Sequence, residues 1–496
     1  MTLVGAGPGD PGLITLRGRD AIGEADVVLY DYLASPELLR WAPPHAECLC
    51  LGRHGSGRVL SQDEINRLMI QHAQAGKHVV RLKGGDPGLF GRLAEEVAAI
   101  EAAGIAYEIV PGITAATATS AYAGVALTHR DHASCVAIVT GREHPNKPAT
   151  SLDYAALATF PGTLVFYMGI TSAPLWSGKL LEHGKSADTP VRIVRRVTQP
   201  EQQVWTCRLE EVAQLIANNN IRPPAICIVG HVLDNQRQAD WFVNRPLFGR
   251  TVLVTRPLRQ ADAMGRAFAE LGARLLYQPA IIIGPPPDWR PVDEAIEHVG
   301  GYGWIVFSSR NGVESFLGRL RMRGHDLRVL AGCKLAVIGS GTAEALAEHH
   351  LQADLQPEEY RAEALADSLA PRVEGQRCLL VRASRGREVL AESLTAAGSG
   401  VEQIVAYESR DVESPDADVA LAMEQGEIDW TTVTSSAIAR SLIKLFGNSL
   451  QQTRLAAISP LTAETLAAEG FTADAVATDY TCQGLVTALC AADQSH

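Results

Sequence analysis

The sequence predicts an α/β fold built largely from parallel sheets. Short β-branched runs alternate with helical patterns along the whole chain, for example at Val27–Tyr30, His78–Leu82 and Trp304–Ser309. This alternation is typical of parallel strands joined by crossover helices. The chain has 496 residues, which is room for about three domains of ordinary size.

A candidate linker divides the chain almost in half. The polar segment Asp234–Arg250 contains Pro246 and Gly249 and lies between two strand patterns. Proline and glycine at such a position mark an irregular connection. We therefore expect a first domain at 1–242, a linker at 243–250 and a second domain at 251–492.

The second half contains an internal repeat. Lys334–Leu369 and Arg454–Leu489 align without a gap, and each copy follows a strand pattern and a Ser-rich turn. Solenoid repeats have periods of about 20 to 50 residues, so a spacing of 120 residues indicates a duplicated domain. The second half is therefore predicted to form two similar α/β lobes that face each other across a cleft.

Charge and hydropathy argue against several function classes. The net charge is −12, whereas general binding to nucleic acid or to an anionic membrane needs clustered excess Lys and Arg. No apolar run approaches the roughly 20 residues of a membrane span, and the N-terminal residues lack a signal-peptide pattern. The nine cysteines are scattered without metal-ligand spacing, so we expect reduced thiols, no metal site and a cytoplasmic location.

A glycine-rich turn follows the first strand pattern. The sequence TLVGAGPGDPGLITL places Gly5, Gly7 and Gly9 before a helix. It differs from the dinucleotide-binding GxGxxG pattern because Asp10 stands at the third glycine position and Pro8 stiffens the turn. A carboxylate at that place would repel a diphosphate. A nicotinamide-dependent dehydrogenase is therefore the weaker interpretation.

A second glycine turn follows the strand pattern at Val79–Lys83. The sequence VRLKGGDPGLFGR places Gly84, Gly85 and Asp86 directly after this strand. Glycines allow a positive φ or the close approach of a ligand, and Asp86 can accept hydrogen bonds from ribose hydroxyls or attract a cation. S-adenosylmethionine has a ribose, an adenine and a positive charge but no phosphate, so it fits both turns. The alternative is a tight strand-to-helix turn that binds no ligand.

A series of motifs runs in order through the first half. They are VGAGPGDPGLITL, ADVVLYDYLASPELL, VVRLKGGDPGLFGR, VPGITAATATSAYAGVALTHRD, TLVFYMG and PPAICIVGHV. Together they resemble the uroporphyrinogen-III C-methyltransferases of the tetrapyrrole methyltransferase family. The resemblance implies two α/β subdomains, about 1–130 and 131–242, and a cleft between them for S-adenosylmethionine, with S-adenosylhomocysteine as product. It also implies a homodimer.

The same resemblance assigns residues to the cofactor site. Asp31 takes the place of the family's catalytic base, and a carboxylate there could accept the proton that a pyrrole substrate releases. The alternative is a capping or turn Asp after the strand VVLY. Val197 stands where the family has glycine, so a β-branched side chain is expected near the adenine or ribose. The predicted cofactor contacts are Pro8, Gly84, Gly85, Asp86, Leu89, Thr114, Ala115, Met168, Val197 and Ala225.

A substrate with several carboxylates needs a local basic surface on this acidic protein. Arg81 and Arg130 are predicted to bind substrate, since a guanidinium suits bidentate pairing with a carboxylate. Arg53 occupies a catalytic position at which the family has Lys, although a guanidinium cannot readily donate a proton. The whole basic set is Arg53, His54, Arg58, Arg81, Lys83, Arg92, His129 and Arg130.

The second half carries its own motifs. They are VLVTRP, FSSRNGVESF, VIGSGTAEAL, IVAYESR, TSSAIA and AISPLTAETL. Together they resemble uroporphyrinogen-III synthase over residues 246 to 492. The resemblance implies a lobe A at 251–280 and 409–492 and an inserted lobe B at 281–408. It also implies ring closure of linear hydroxymethylbilane, with loss of water and inversion of the last pyrrole ring.

The resemblance places five site residues in this half. Tyr407 is predicted to assist the departing hydroxyl. Ser309, Thr342, Ser435 and Thr462 are predicted to hold the carboxylate arms, together with backbone N–H groups at helix starts. The alternatives are that the two threonines cap helices and that Tyr407 packs at a strand end.

The two resemblances together predict a bifunctional enzyme of tetrapyrrole biosynthesis. Its second half would make uroporphyrinogen III, and its first half would methylate that product to precorrin-2, a precursor of sirohaem and cobalamin. Two alternatives stay open: a methyltransferase that acts on a later precorrin, and a second half that binds or senses tetrapyrroles without catalysis.

Overall fold

The chain forms two compact units. The computed structural model describes residues 1–52, 60–143, 150–234, 241–359, 361–386 and 388–495. The first unit is Met1–Gly249 with Leu271–Arg274, and the second is Arg250–Glu270 with Leu275–His496.

A parallel sheet forms the first subdomain of the first unit. Its strands are β1 (Thr2–Gly5), β2 (Val27–Tyr30), β3 (Glu47–Cys50), β4 (Val79–Lys83) and β5 (Glu108–Val110). Its helices are α1 (Leu16–Gly23), α2 (Gln62–Gln74), α3 (Leu93–Ala102) and α4 (Ala115–Tyr122). The strand order is β3-β2-β4-β1-β5, and every pair is parallel. β1 and β4 lie in the middle and are buried throughout, as continuous apolar strands of parallel sheets are.

A mixed sheet forms the second subdomain. Its strands are β6 (Val136–Thr140), β7 (Thr163–Tyr167), β8 (Pro190–Arg195), β9 (Gln203–Arg208) and β10 (Ala225–Val229), and its helices are α5 (Tyr154–Thr159), α6 (Ala173–Glu182) and α7 (Val212–Asn218). The order is β6-β7-β10-β8-β9, in which only β6 and β7 pair in parallel. The expectation of a largely parallel sheet is wrong here. Residues 196–202 join β8 to β9, and a connection this short allows only an antiparallel pair.

The residues expected to form the linker contribute to the core of the first unit. Phe242 is buried, and Val243 and Phe248 pack against the same apolar cluster. Leu247 has no exposed surface.

Lobe A of the second unit contains a five-stranded sheet. Its strands are β11 (Thr251–Val254), β12 (Arg274–Tyr277), β18 (Trp430–Val433), β19 (Arg454–Ala457) and β20 (Ala475–Val476). Its helices are α8 (Leu258–Glu270), α14 (Ala417–Glu424), α15 (Ser436–Phe446), α16 (Pro460–Ala468) and α17 (Cys482–Gln494). The order is β12-β11-β18-β19-β20.

Lobe B is inserted between β12 and α14. Its strands are β13 (Ile281–Gly284), β14 (Trp304–Phe307), β15 (Lys334–Val337), β16 (Arg377–Ala383) and β17 (Gly400–Asp411). Its helices are α9 (Arg290–Glu297), α10 (Arg310–Met322), α11 (Ser340–Glu348), α12 (Ala362–Leu369) and α13 (Val389–Ala396). The order is β13-β17-β16-β14-β15, and only β13 with β17 is antiparallel.

The repeat in the sequence corresponds to one contact made twice. In lobe B the Asp354 carboxylate accepts the backbone N–H of Leu335 at 2.8 Å. In lobe A the Asp474 carboxylate accepts the N–H of Leu455, also at 2.8 Å. Each aspartate follows a strand and a helix, and its carboxylate hydrogen-bonds to the backbone near the start of that strand. The aligned positions therefore have equivalent structural roles.

Two further features concern the described residues alone. Among them, no helix is both long enough and apolar enough to cross a membrane. Within the same ranges, no group of three or more His, Cys, Asp or Glu side chains is arranged to hold a metal ion.

Candidate active site

One cavity of the first unit gathers the residues predicted to bind the cofactor. It has a volume of about 320 Å³, and all ten predicted cofactor contacts line it together with Asp31. Pro8, Asp31 and Gly84 follow the carboxyl ends of β1, β2 and β4. The second subdomain contributes residues after β7 and β8 and at the start of β10. Ligands of open α/β sheets bind at such carboxyl edges.

The two neighbouring glycines of the second turn have different reasons to lack side chains. Gly85 has a φ of +69°, and a Cβ on it would meet no atom within 4 Å. A Cβ on Gly84 would lie 2.9 Å from the Leu33 Cβ. Gly85 also exchanges backbone hydrogen bonds with Gly7, at 2.8 and 3.2 Å. The backbone conformation therefore favours glycine at position 85, whereas contact with Leu33 excludes a side chain at position 84.

The aspartates of both glycine turns serve the local fold. Asp86 accepts the backbone N–H groups of Gly88 at 2.8 Å and Gly112 at 3.0 Å. Asp10 accepts the N–H of Gly12 at 2.7 Å and the Tyr122 hydroxyl at 2.8 Å. Burial and the contact with Asp10 both raise the pKa of Tyr122. The Asp10 carboxylate thus stabilises the turn that it occupies in place of a third glycine.

Left-handed backbone conformations are concentrated around the cavity. Phe90, Met168 and Arg196 line it and have φ values of 57°, 54° and 47°. Thr198 lies two residues beyond Arg196 and has a φ of 71°. Such conformations are unfavourable for residues other than glycine, and they are found at ligand sites more often than elsewhere.

Asp31 is held by a buried network of charges. Its carboxylate accepts a hydrogen bond from Arg81 at 2.5 Å, and its side chain is 32% exposed. Arg81 also contacts Glu96 at 3.2 Å, and Lys83 contacts Glu96 at 2.8 Å. Burial and the charge of Arg81 lower the pKa of Lys83, although the contact with Glu96 opposes them.

The basic residues predicted to bind substrate lie outside the cavity lining. Arg81 is 2% exposed and is engaged by Asp31 and Glu96, so it orients the carboxylate at the cavity edge. Arg130 is exposed and is not among the lining residues. Arg53 lies outside the described residues, as do His54 and Arg58.

Tyr167 is a cavity residue that the sequence did not single out. Its hydroxyl lies 2.5 Å from the Thr114 hydroxyl and accepts the backbone N–H of Ala116 at 2.8 Å. Burial raises its pKa, while both hydrogen bonds oppose the shift. Tyr167 thereby fixes the start of α4, where the predicted contacts Thr114 and Ala115 lie. The sequence feature that could have identified Tyr167 is its position in the TLVFYMG motif.

A second cavity lies between the two lobes of the second unit. It has a volume of about 250 Å³ and includes the predicted residues Tyr407 and Ser435. Arg256 of lobe A and Arg385 of lobe B also line it, so each lobe contributes a guanidinium. Neither arginine was predicted.

Tyr407 is a buried residue that lines this cavity. It is 7% exposed, and its hydroxyl lies 2.9 Å from the Ser309 hydroxyl. Burial raises its pKa, while hydrogen bonds with Ser309 and Asn311 oppose the shift. Ser309 caps α10 by accepting the N–H of Gly312, and Ser435 caps α15 by accepting the N–H of Ile438. The two serines therefore have matching positions in the two lobes.

The two threonines predicted to hold carboxylates do not line this cavity. Thr342 and Thr462 are 5% and 2% exposed. The alternative that they cap helices is also wrong, because Gly339 and Ser459 occupy the N-cap positions of α11 and α16. Each threonine is the third residue of its helix, so the alignment identified equivalent positions without identifying their function.

Comparison with known proteins covers both halves. The family described as Tetrapyrrole (Corrin/Porphyrin) Methylases matches residues 1–213. The family described as Uroporphyrinogen-III synthase HemD matches residues 262–487.

Curated relatives agree with these matches. The porphyrin biosynthesis protein HemD of Ruminiclostridium josui is 35% identical over 444 residues, which are 89% of this chain and 88% of that protein. A uroporphyrinogen-III C-methyltransferase of Bacillus subtilis is 37% identical over 360 residues, which are 72% of this chain and 73% of that protein. The crystal structure of uroporphyrin-III C-methyltransferase from Thermus thermophilus complexed with S-adenosylhomocysteine is 39% identical, covers 47% of this chain and 98% of its own, and has a TM-score of 0.41. The chain belongs to the family of proteins in which a tetrapyrrole methylase precedes a uroporphyrinogen-III synthase of the HemD type.

Proposed function

We propose that the first unit methylates uroporphyrinogen III with S-adenosylmethionine and that the second unit makes uroporphyrinogen III from hydroxymethylbilane. The observation that carries the proposal is the convergence of Asp31 and all ten predicted cofactor contacts on one cavity. Family membership of both halves supports the pairing of the two reactions. Methylation would continue to precorrin-2.

The first cavity suits S-adenosylmethionine in size and charge. Its volume of about 320 Å³ falls in the usual range of small-molecule sites. Among the described lining residues, the charged side chains are Asp31, Asp86 and Arg196. Two carboxylates beside one guanidinium favour a cation without phosphates over a dinucleotide. When bound, S-adenosylmethionine supplies a methyl group on a positively charged sulfur.

Asp31 would act as the base of this reaction. When a ring carbon gains a methyl group, the pyrrole system must release a proton, and a carboxylate that lines the cavity can accept it. Arg81 donates a hydrogen bond to the Asp31 carboxylate and fixes its orientation. Glu96 in turn fixes Arg81 from the buried side. This arrangement orients the base before substrate binds.

The second cavity would close the linear tetrapyrrole. Its Tyr407 hydroxyl is fixed by Ser309 and can donate a hydrogen bond to a leaving hydroxyl. Arg256 and Arg385 can pair with substrate carboxylates from opposite lobes. Residues of two lobes around one cavity suit a reaction in which the two ends of a chain must meet.

A homodimer and a cytoplasmic location complete the proposal. Phe90, Ile109 and Ile113 of the first unit are 42%, 40% and 36% exposed, and Ile109 lies on the edge strand β5. Exposed apolar clusters commonly mark association surfaces. The nine free cysteines would remain reduced in the cytoplasm. Sedimentation of the wild-type chain and of Ile109→Asp would test the dimer.

Thermal unfolding with added ligands tests the cofactor assignment. A ligand that binds only the folded state at about 100 times its Kd stabilises that state by about 2.7 kcal/mol. We expect S-adenosylhomocysteine to raise the Tm and NAD to leave it unchanged. Stabilisation by NAD alone would instead favour the dehydrogenase interpretation.

A further inference from the structure

Gln260 and Asn311 meet across the second cavity. Gln260 belongs to α8 of lobe A and Asn311 to α10 of lobe B, and both line the cavity. The Gln260 side-chain N–H donates to Asn311 Oδ1 at 2.5 Å. The chain crosses between the lobes at 278–280 and 412–416, far along the sequence from either residue. A change in the separation of the lobes would therefore break this hydrogen bond.

Asn311 also reaches the residue proposed to assist the leaving group. Asn311 lines the same cavity as Tyr407 and lies two residues beyond Ser309, whose hydroxyl is 2.9 Å from the Tyr407 hydroxyl. A hydrogen bond from Asn311 opposes the rise that burial causes in the pKa of Tyr407. A side-chain amide has one acceptor oxygen and one donor nitrogen. The Asn311 oxygen accepts from Gln260, and its NH2 group can donate to the Tyr407 hydroxyl. The orientation of the Asn311 amide thus depends on Gln260.

Gln260 extends the same network to a cationic side chain. Its Oε1 accepts a hydrogen bond from Arg256 at 3.4 Å. Arg256 lines the cavity and also contacts Cys482 Sγ at 2.5 Å. A continuous series of polar contacts therefore runs from Arg256 through Gln260 and Asn311 to Tyr407.

We infer that Gln260 and Asn311 are positioning residues that fix the Tyr407 hydroxyl and hold the two lobes at one separation during ring closure. The inference rests on the function proposed for the second unit. A linear substrate can close with or without inversion of its last ring, and a fixed separation of the lobes would set the distance between the ends that they hold. Small misplacements of reacting groups can cost about 100-fold in rate.

Rates and product isomers of defined variants test this inference. We expect Gln260→Ala and Asn311→Ala each to lower kcat for closure by about tenfold or more, with a smaller change in KM. Both should raise the fraction of macrocycle closed without inversion. Gln260→Asn, which shortens the side chain by one carbon, should behave in the same way without loss of polarity. Gln352→Ala is the matched control, since Gln352 is exposed and does not line the cavity.

The double variant separates coupling from independent damage. Because Gln260→Ala and Asn311→Ala break one shared contact, their combination should cost no more than the stronger single change. Methylation of supplied uroporphyrinogen III should be unaffected, and an unchanged near-ultraviolet circular dichroism spectrum would report that the second unit is folded. Variants with wild-type kcat and isomer ratio, or losses that multiply in the double variant, would overturn the inference alone. Failure of the wild-type chain to close hydroxymethylbilane would overturn the function of the second unit and the inference with it.

Discussion

The Arg81 guanidinium lies 2.5 Å from a carboxylate oxygen of Asp31 at the edge of the first cavity. An amide at position 31 would keep the size of the side chain but could not accept a proton from substrate. We expect Asp31→Asn to slow methyl transfer by about 10² to 10⁴-fold, the usual contribution of a general base. Single-turnover methylation of uroporphyrinogen III would measure this loss.

Binding measurements distinguish loss of the base from loss of the site. The affinity of Asp31→Asn for S-adenosylhomocysteine, measured by calorimetry, should stay close to that of the wild type. The control is Asp188→Asn, because Asp188 is exposed and lies outside the cavity lining. Methyl transfer by Asp31→Asn at the wild-type rate would exclude Asp31 as the base.

Glu96 compensates two buried cations. It has no exposed surface and contacts both Arg81 and Lys83. Glu96→Gln would leave these cations without their shared counter-charge, so we expect the free energy of unfolding of the first unit to fall by about 3–5 kcal/mol. Denaturant titration followed by tryptophan fluorescence would measure the change.

The adjacent glutamate provides a matched control. Glu95 pairs with Arg92 at the surface, where both side chains are about half exposed. Glu95→Gln should therefore change the free energy of unfolding by less than about 1 kcal/mol. Equal effects of the two substitutions would show that burial of Glu96 contributes nothing to stability.

Gly85 can be compared with a second glycine of similar conformation. Gly85 and Gly76 have φ values of +69° and +80°, and a Cβ on either would meet no atom within 4 Å. Alanine at each position should cost about 1–2 kcal/mol of unfolding free energy through backbone strain. Only Gly85 lines the cavity, so only Gly85→Ala should also weaken binding of S-adenosylhomocysteine. An equal loss of affinity in both variants would indicate a general effect of strain.

Asp493 makes lobe A sensitive to acid. Burial would raise the pKa of Asp493, but hydrogen bonds from Trp430, Arg250 and Arg454 outweigh burial and hold the pKa below its ordinary value. A lowered pKa in the folded state stabilises the fold above the unfolded pKa of about 3.9, and this contribution is lost as the pH falls through the folded pKa. We expect Asp493→Asn to cost about 1.5–3 kcal/mol at neutral pH.

The decisive observation is how the difference in unfolding free energy between the wild type and Asp493→Asn depends on pH. The stability of the wild type should approach that of Asp493→Asn as the pH falls below the ordinary aspartate pKa. Urea unfolding of both proteins at neutral and acidic pH would measure it. A difference that stays constant across this range would mean that the charge of Asp493 does not stabilise lobe A.

Sequence motifs located the first cavity well because its residues follow strand ends. Pro8, Gly84 and Met168 each lie just after an apolar strand, and turns at such positions can be recognised from local composition. Arg81 was misjudged because its partners, Asp31 and Glu96, come from other elements of the fold. A basic residue at the end of a strand shows its charge in the sequence, whereas its burial depends on tertiary contacts.

The second unit shows a similar limit of sequence analysis. The repeat predicted two lobes, and equivalent aspartates confirm equivalent structure. The repeat did not predict the roles of Thr342 and Thr462. Each helix begins about one turn earlier than expected, so Gly339 and Ser459 occupy the N-cap positions. Gln260 lies outside the quoted motifs, and Asn311 lies in FSSRNGVESF without a pattern that indicates its partner. Their significance comes from a contact between lobes that are separated in sequence.

The most direct test of the central claim is a single incubation of the purified chain with hydroxymethylbilane and S-adenosylmethionine, with products identified by mass and absorbance. We predict that the linear substrate is consumed and that precorrin-2 accumulates, with uroporphyrinogen III as the only product when S-adenosylmethionine is omitted. Two results would contradict the account. One is recovery of an unmethylated macrocycle in the presence of S-adenosylmethionine, and the other is recovery of only the macrocycle that is closed without ring inversion.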